Sequence, residues 1–352
     1  MIDFSQFTLN NQGVTDINKV LFTTAFAESD LFSTCTRQSG IKNGQMLDYV
    51  DNIGEVGVAG RKCDPEYGSV AVKGLEKKWE LTEWNVAKKI CYKEIENTIA
   101  KWSLNTGTSK DDLTSTDFWN KIMMPLLNKA LTDMYWRIAW FNDTQAKHIS
   151  ESGTITNSVD LSLLKINDGL WKRLLAVTAE NGAQRTTIAA NTESTYAAQK
   201  AGIKAAGVAL ETIDDLLSNA DSRIAANGGK IMLTRSFYQA LRRDYALRYK
   251  DTIPFMEVAD GVKLPTYDGI PLQEIPEWDT LITKYENDGT KLNNPHRAVF
   301  ANPDNLFVGT SATDMFAEFD TTFDKVSRNN YLYAASDAGT LVGEDALVQI
   351  AI

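Results

Sequence analysis

Residues 46–81 restrict the fold of this chain more than any other segment. Apolar residues alternate there with polar or small ones, as in Val56/Val58 and Val70/Val72, which is the period-two pattern of β-strands. Six glycines between residues 44 and 74 disfavour a helix, and GRKCDPEYG at 60–68 has the composition of a turn. The pattern predicts a long two-stranded hairpin. Because an isolated hairpin is only marginally stable in water, we expect another surface to hold it.

The first 45 residues do not contain enough apolar side chains for a core of their own. Ile17, Val20 and Leu21 follow helical spacing, and most of the remaining segment is polar. We therefore expect an arm that lies across another surface.

The strongest helical periodicity in the chain runs from residue 117 to residue 147. Its apolar residues recur every three or four positions and predict one buried stripe: Phe118, Ile122, Leu126, Ala130, Met134, Ile138 and Phe141. Pro125 would kink this helix or mark a second start. Unbroken, the helix would be about 45 Å long and would act as a strut.

The rest of the chain mixes helices and strands. Periodicity predicts helices at 160–179, 192–218 and 236–250, a strand at 230–234, and short extended runs through 253–310. A long strand at 315–327 and an apolar strand at 346–352 end the chain. Strands and helices do not alternate regularly, so the sequence predicts an α+β fold rather than a doubly wound sheet.

The chain is acidic, with 36 Lys and Arg against 46 Asp and Glu and a formal net charge of −10. Such a surface repels phosphate backbones, so free nucleic-acid binding is excluded as a primary function. One helix is nevertheless basic, through Arg235, Arg242, Arg243, Arg248 and Lys250. It is a candidate contact for a polyanion or, alternatively, for acidic neighbours on this protein or on another subunit.

Composition also restricts the compartment. The sequence contains no run of about 18 apolar residues that could span a bilayer, and its N-terminus lacks the features of a signal peptide. We expect no membrane contact and assembly in the cytoplasm. Cys35, Cys63 and Cys91 form no CxxC pair and are odd in number, so we expect reduced structural thiols.

Catalytic and cofactor motifs are absent from the sequence: it contains no GxSxG, GxxxxGK[ST], GxGxxG or HExxH segment. Histidine is the usual general base near neutral pH, and only His148 and His296 are present. We expect His148 at the C-terminal end of the long helix and His296 in a turn. The expectation is no enzyme activity, no cofactor and no metal. A site assembled from scattered carboxylates is the alternative that remains.

The order of these parts resembles the Hong Kong 97 fold of tailed-bacteriophage major capsid proteins, and the resemblance covers essentially the whole chain. An arm, a Gly-rich hairpin, a long helix, a helix–strand–helix middle and a returning strand follow one another. The segments that resemble capsid proteins best are LPTYDGIPLQEIPEWD (264–279), NPHRAVFANPDNLFVGT (294–310), CDPEYGSVAVKGLEKKWELTEWNVAKKICYKEIE (63–96) and FDTTFDKVSRNNYLYAASDAGTLVG (319–343). The first two are similar to the xDGxPL turn and the RAVF…DNLxVGT pair of related phage proteins.

That resemblance implies four regions: an N-terminal arm at 1–45, an E-loop hairpin at 46–80, a peripheral domain with the spine helix at 81–155 and 311–340, and an axial domain at 156–310 and 341–352. The arm and the E-loop would contact neighbouring subunits through Ile17, Val20, Leu21, Ile53, Val56, Val58, Arg61, Lys62, Tyr67, Val70 and Val72. The core of the spine helix would comprise Phe118, Ile122, Leu126, Met134, Ile138 and Phe141.

The function implied by the resemblance is structural. Hexamers and pentamers of the chain would form an icosahedral shell around double-stranded DNA in the virion, without specific recognition of that DNA. Because the arm begins close to Met1, we expect a separate scaffolding protein, together with a portal and, as a further candidate, decoration proteins. An encapsulin-like shell of a cellular compartment, which has the same fold, is the alternative.

Overall fold

A computed structural model describes residues 30–50, 74–91, 101, 104–105, 123–257, 263–313, 316–324 and 329–352. The strands in this part of the chain are β1 (Thr36–Ser39), β2 (Met46–Val50), β3 (Gly74–Lys78), β4 (Thr82–Cys91), β5 (Arg185–Thr186), β6 (Lys230–Leu233), β7 (Phe255–Glu257), β8 (Lys263–Tyr267), β9 (Ile270–Glu274), β10 (Ala298–Ala301), β11 (Leu306–Thr310), β12 (Glu318–Asp324), β13 (Asn329–Val342) and β14 (Val348–Ala351).

The α-helices of the same residues are α1 (Met124–Trp136), α2 (Leu170–Glu180), α3 (Tyr196–Ile203), α4 (Val208–Ser218), α5 (Ser222–Ala226), α6 (Arg235–Tyr249) and α7 (Pro276–Tyr285). A π-helical turn, Arg137–Phe141, extends α1. The fold is mixed α+β, which confirms the predicted class.

A five-stranded sheet is organised around β13. The strand order is β1–β11–β13–β12, and β4 also pairs with β13. β4 and β12 pair with the first part of β13, and β11 pairs with its last residues. Burial alternates along β13: Leu332 and Ala334 are buried, whereas Tyr331 and Tyr333 are exposed. One side of this sheet therefore faces the core. Among the described residues the other side is uncovered along the first part of β13, whereas Trp79 and Ile41 cover it at Phe307 and Leu341.

The second sheet has seven strands in the order β5–β14–β10–β6–β9–β8–β7. Its central strands are apolar at successive positions because both of their faces are covered. Val299 and Ile350 belong to one hydrophobic core, and their neighbours Phe300 and Ala351 belong to the other. The period-two geometry of the strands thus divides one apolar run between two cores.

The first core is centred on three tryptophans. Trp140 of the π-helical turn, Trp171 of α2 and Trp278 of α7 have ring centroids 4.6 to 5.7 Å apart. Edge-to-face rings at this separation attract each other beyond the area that they bury. This cluster joins the helices to both sheets. The second core lies between the seven-stranded sheet and helices α3, α4 and α6.

The long helix ends earlier than predicted. Its helical backbone stops at Phe141, and Asn142 is extended, so the helix does not reach residue 147. His148 therefore lies beyond the helix, where its Nε2 atom is 2.9 Å from the carbonyl oxygen of Val159. The expectation that His148 interacts with the helix C-terminus was wrong.

The buried face of this helix also differs in part from the prediction. Met134, Ile138 and Phe141 are buried, as predicted, but Leu126 is 53% exposed, and Phe118 and Ile122 lie outside the described residues. The buried row instead contains Leu127 and Leu131. In a helix of 3.6 residues per turn, residues four positions apart are rotated by about 40° relative to each other. Leu126 and Met134 are eight positions apart, so they project about 80° apart. Leu126 therefore falls beyond the edge of the buried face, on which Met134 lies.

The predicted helix at 192–218 is two helices. Gly207, with φ of +88°, separates α3 from α4. Glycine adopts this left-handed conformation without the steric penalty of a Cβ atom. The break places α4 against α6 in the second core.

Candidate inter-subunit surfaces

The predicted hairpin is observed at its base. β2 and β3 pair in antiparallel register from Met46 opposite Lys78 to Val50 opposite Gly74. The contact residues predicted for the hairpin, from Ile53 to Val72, lie outside the described residues. What the structure describes is therefore the attachment of the hairpin to the subunit.

Trp79 attaches the base of the hairpin to the five-stranded sheet. It is 1% exposed and packs with Ile41, Phe307 and Leu341. Its backbone N–H donates to the carbonyl of Gln45 at 2.9 Å. Gly309 leaves the space for the indole, since a Cβ atom there would lie 2.6 Å from Cζ3 of Trp79. The hairpin consequently starts from a rigid position on the subunit.

The end of the predicted arm belongs to the core of its own subunit. Leu31 and Cys35 are fully buried, and β1 pairs in parallel with β11. The indole N–H of Trp140 donates to the hydroxyl of Thr34 at 3.2 Å. Of the arm predicted at 1–45, the stretch from residue 30 onward is thus anchored, and Ile17, Val20 and Leu21 lie outside the described residues. Burial raises the pKa of the Cys35 thiol to about 12, as expected for an inert structural thiol.

The uncovered side of the five-stranded sheet combines aromatic and acidic groups. Tyr331 and Tyr333 are 39% and 43% exposed in β13. A groove near one end of this side is lined by several residues that include Glu83, Glu318 and Asp337. Tyrosines are enriched in surfaces that bind other proteins, so the exposed rings of β13 mark a candidate contact.

The basic helix predicted near residues 235–250 is α6, and its cations divide into two groups. Arg235 pairs with Glu274 at 3.4 Å, and Arg248 lies 4.0 Å from Asp214. Arg242 and Arg243 are exposed and form no ion pair with any described residue; the guanidinium of Arg242 lies 5.9 Å from the ring centroid of Tyr238. Arg235, Arg242 and Arg248 thus have acidic groups nearby on the same subunit, whereas Arg243 is exposed and forms no ion pair with any described residue.

Beside α6 lies a pocket that we call the tyrosine cleft. Its volume is about 670 Å³, and it is lined by Asp214, Leu217, Ser218, Tyr245, Tyr249, Pro254, Thr266, Tyr267, Asp268 and Gly269. The ring centroids of Tyr245 and Tyr249 are 4.7 Å apart, and those of Tyr245 and Tyr267 are 6.4 Å apart. The hydroxyl of Tyr267 donates to Oδ1 of Asp214. Periodicity arguments did not find this site because its residues come from distant segments.

The YDGI sequence shapes one wall of the tyrosine cleft. Asp268 and Gly269 have φ angles of +50° and +78° and join β8 to β9, with Tyr267 opposite Ile270. A two-residue turn with two positive φ angles is the type I′ hairpin turn, for which Asp-Gly is a favoured sequence. The turn holds the Asp268 carboxylate at the rim, next to the buried ring of Tyr267.

Apolar side chains are exposed near the same end of α6. β7 is an edge strand of the seven-stranded sheet, and all three of its residues are exposed. Phe255 is 60% exposed, and Leu247 of α6 is 58% exposed. An unpaired strand edge with apolar side chains favours contact with another chain.

His296, the second of the two histidines, lies in the interior of the subunit. It is fully buried; its Nδ1 accepts from the hydroxyl of Ser236 at 2.8 Å, and its Nε2 lies 3.1 Å from the carbonyl oxygen of Gln199. Burial lowers the pKa of His296 to about 4, so the ring is neutral near pH 7. The arrangement positions α3 against α6 and leaves the His296 ring without access to solvent.

Candidate metal-binding groups and membrane-spanning helices are absent from the described residues. The described part of the chain contains no group of three or more His, Cys, Asp or Glu side chains that could hold a metal ion. Among those same residues, no helix combines the length and the apolar character needed to cross a membrane.

No protein-family model matches this chain, and no curated protein is significantly similar to it. Solved structures do match. A chain of the satellite phage P4 procapsid, which includes a size determination protein, aligns at a TM-score of 0.53 and 12% identity, covering 94% of this chain and 97% of that one. Gordonia phage Cozz aligns at a TM-score of 0.50 and 9% identity, covering 91% and 84%.

A third similar structure is a virus-like particle from Pyrococcus furiosus, with a TM-score of 0.41 and 9% identity over 96% of this chain and 98% of that one. At such identities, likeness reports the fold. The alignments with the two phage structures cover 94% and 91% of this chain. The chain therefore has the Hong Kong 97 fold of tailed-phage capsid shells, as its sequence pattern implied.

Proposed function

We propose that this chain is the major capsid protein of a tailed bacteriophage. In this role it assembles as hexamers and pentamers into an icosahedral shell around double-stranded DNA. The observation that carries the proposal is the match to the P4 procapsid subunit over 94% of this chain and 97% of that one.

The base of the hairpin supports the proposal. The hairpin starts at a fixed base, and the described subunit exposes Leu126, Leu247, Phe255 and Tyr333 at 43% to 60% of their surface. Specific interfaces bury about 800 Å² per partner, and a shell subunit forms several of them. Apolar groups exposed singly are common on protein surfaces, so the fixed base of the hairpin is the observation that supports the proposal here.

The assignment of regions supports the same function. In this proposal the hairpin at 46–80 is an E-loop over the neighbouring subunit, and the arm before residue 30 grips another. The peripheral domain contains α1, β4, β12 and most of β13, and the axial domain contains the seven-stranded sheet and β11. A separate scaffolding protein, a portal and decoration proteins are the proposed partners, and the similar P4 procapsid includes a size determination protein.

The net charge of −10 is consistent with a shell that confines DNA without binding it tightly. Arg242 and Arg243 are the exposed cations of α6 without an ion pair among the described residues, and two arginines are too few for a DNA-binding surface. DNA would then be retained by enclosure rather than by recognition.

The test is assembly of the purified chain, alone and with the scaffolding protein of its own gene neighbourhood. We expect hollow icosahedral particles of megadalton mass in negative-stain electron microscopy. Monomers or small discrete oligomers under both conditions would contradict the function and would favour the alternative of an enzyme built from scattered carboxylates.

The molecules enclosed in particles isolated from the native source distinguish a phage capsid from a cellular compartment. A phage capsid protein should be recovered with double-stranded DNA that resists nuclease until the shell is opened. An encapsulin-like compartment should contain a protein cargo and little protected DNA. Protected cargo protein without DNA would contradict the phage assignment while retaining the shell function.

A further inference from the structure

We propose that Arg243 of one subunit docks into the tyrosine cleft of the next subunit, so that copies of this chain meet head to tail. The inference rests on the proposed shell function. It adds which two surfaces meet and which chemistry joins them.

The tyrosine cleft is suited to a guanidinium group. The rings of Tyr245, Tyr249 and Tyr267 line it at centroid distances of 4.7 and 6.4 Å. A cation within about 6 Å of an aromatic face is attracted by the ring electrons. The cleft volume of about 670 Å³ exceeds that of one arginine side chain, so neighbouring residues of the docking helix can enter with it.

The charges of the cleft also favour a cation. Asp214 and Asp268 supply two carboxylates, and one guanidinium, that of Arg248, lies 4.0 Å from Asp214. This leaves an excess of negative charge at the rim. A second guanidinium could therefore form charge-assisted hydrogen bonds there without displacing the first.

Arg243 has the properties expected of the side chain that enters the tyrosine cleft. It is exposed and pairs with no acid in the part of the chain that the structure describes. Together with Gln239, Arg242 and Ala246 of α6, it borders a hollow of about 260 Å³ in front of Thr252 and Ile253. Ala246 is small, so a neighbouring chain can approach the helix closely beside the arginine. An unpaired cation on a protein of net charge −10 marks a position where electrostatic complementarity is available.

The positions of the two surfaces require a second copy. Arg243 and Tyr245 are two residues apart in α6, and residues at that spacing project about 200° apart around the helix. Arg243 therefore points away from the cleft of its own subunit. Contact between two different surfaces of identical chains is head to tail, and such contacts close into a ring when the rotation per copy divides a full turn. Leu247, four residues after Arg243 in α6, and Phe255, next to Pro254 of the cleft, are exposed and add apolar area.

The first experiment compares Arg243→Glu with Lys200→Glu. Both variants change the charge by the same amount at exposed helical positions, but Lys200 lies on α3, away from both surfaces. We expect Arg243→Glu to reduce the yield of shells in a sucrose gradient at least tenfold, because a like charge then faces the acidic cleft. Lys200→Glu should assemble as the unchanged chain does.

A charge reversal provides the second arm. Combining Arg243→Glu with Asp268→Lys re-creates an opposite-charge contact between copies, so the yield should recover to within about threefold of the unchanged chain. Thermal melting of unassembled Asp268→Lys verifies that the turn still folds; if it does not, Asp214→Lys replaces it. Full assembly of Arg243→Glu, or failure of a folded reversal to restore assembly, would overturn the proposed contact.

Cross-linking tests proximity without relying on assembly defects. Gln239 borders the same hollow as Arg243, and Ser218 lines the cleft, so cysteines there leave Arg243 and Asp268 in place. Shells of the Gln239→Cys/Ser218→Cys chain, treated with a short bis-maleimide, should give a ladder of multimers in denaturing gels. The unchanged chain and Gln239→Cys alone, which retain the native cysteines, supply the background. Shells that give only the background bands would refute the inference and leave the shell function intact. If the unchanged chain forms no shells at all, the proposed function itself fails.

Discussion

Arg297 and Glu286 form an ion pair in the interior of the subunit. Nη2 of Arg297 donates to Oε2 of Glu286, and the two side chains are 4% and 10% exposed. The same guanidinium donates to the carbonyls of Asn293 and Asn294 at 2.8 Å, and its carbon lies 5.3 Å from the ring centroid of Trp171. The pair therefore fixes the loop between α7 and β10 against the tryptophan core.

We predict that Glu286→Ala strongly destabilises the unassembled subunit. It leaves a buried guanidinium without its carboxylate, which typically lowers the free energy of unfolding by about 3–5 kcal/mol. Urea denaturation followed by tryptophan fluorescence measures the loss. Glu151→Ala, at an exposed position, is the control and should change the free energy by less than about 0.5 kcal/mol. Equal stability of the two variants would show that the pair contributes little.

The corrected face of α1 predicts opposite results for the same substitution at two positions. Leu131 is 2% exposed and Leu126 is 53% exposed. Leu131→Asp would bury an unpaired carboxylate and should destabilise the subunit by several kcal/mol, of the order of 4, giving insoluble protein. Leu126→Asp should leave the thermal transition within a few degrees of the unchanged chain. If instead Leu131→Asp is stable and Leu126→Asp unfolds, the buried face is the one predicted from the sequence, which contains Leu126.

The buried His296 predicts a loss of stability in acid. Its pKa is lowered from 6.5 to about 4 by burial, so protons bind more readily to the unfolded chain than to the folded one. Its contribution is therefore fully present above pH 6.5 and is lost progressively as the pH falls to about 4. A shift of this size corresponds to about 3 kcal/mol.

The measurement is the free energy of unfolding from pH 7.5 to pH 4 for the unchanged chain and for His296→Gln. Gln retains hydrogen-bonding groups near Ser236 and Gln199 but does not titrate in this range. The difference between the two curves cancels the carboxylates common to both. We expect the unchanged chain to lose more stability than the variant between pH 6.5 and pH 4. Parallel curves would show that His296 does not govern acid sensitivity.

We predict that the distal part of the hairpin is needed for assembly of the shell but not for folding of the subunit. The base of the hairpin is held by Trp79, and Val50 lies opposite Gly74, so a short Gly-Ser turn can replace residues 52–72 without straining β2 or β3. The shortened chain should retain a cooperative thermal transition within a few degrees, because the removed residues lie beyond the observed base. It should fail to form shells, because the predicted E-loop contacts are gone. Analytical ultracentrifugation measures both species, and normal shells from the shortened chain would refute the contact role of the hairpin.

A matched variant isolates the anchor. Trp79→Ala removes the indole that packs between Ile41 and Phe307 while retaining the full hairpin. Large-to-small substitution of a buried aromatic residue costs about 3–5 kcal/mol. If Trp79→Ala loses folding, the base of the hairpin is needed for folding. If the shortened chain folds but loses assembly, the distal hairpin is needed for assembly.

Local patterns in the sequence determined the kinds of elements and their order. The alternation at 46–81 predicted a hairpin, whose base is observed in β2 and β3. The apolar runs at 230–234 and 346–352 are strands β6 and β14, and YDGI is a type I′ turn. These features depend on backbone geometry and on neighbours within a few residues. That is why the α+β class and the order of a capsid fold were accessible before any contact was known.

Tertiary structure alone decided which sides of these elements are buried. The periodicity of α1 is compatible with several adjacent stripes, and the tryptophan core and the five-stranded sheet select the one with Leu131 over the one with Leu126. The last part of the predicted arm became core because β1 found an open edge at β11. Burial depends on partners that are distant in the chain: Thr34 bonds Trp140 across 106 positions.

The tyrosine cleft illustrates the same limit for sites. Asp214, Tyr245 and Tyr267 come from two helices and a strand, and no spacing in the sequence connects them. Each residue alone is a common surface or core residue. Only the packing of α4 against α6 and the turn after β8 bring their rings and carboxylates together, because a side chain acquires its environment from the elements packed against it rather than from its neighbours in sequence.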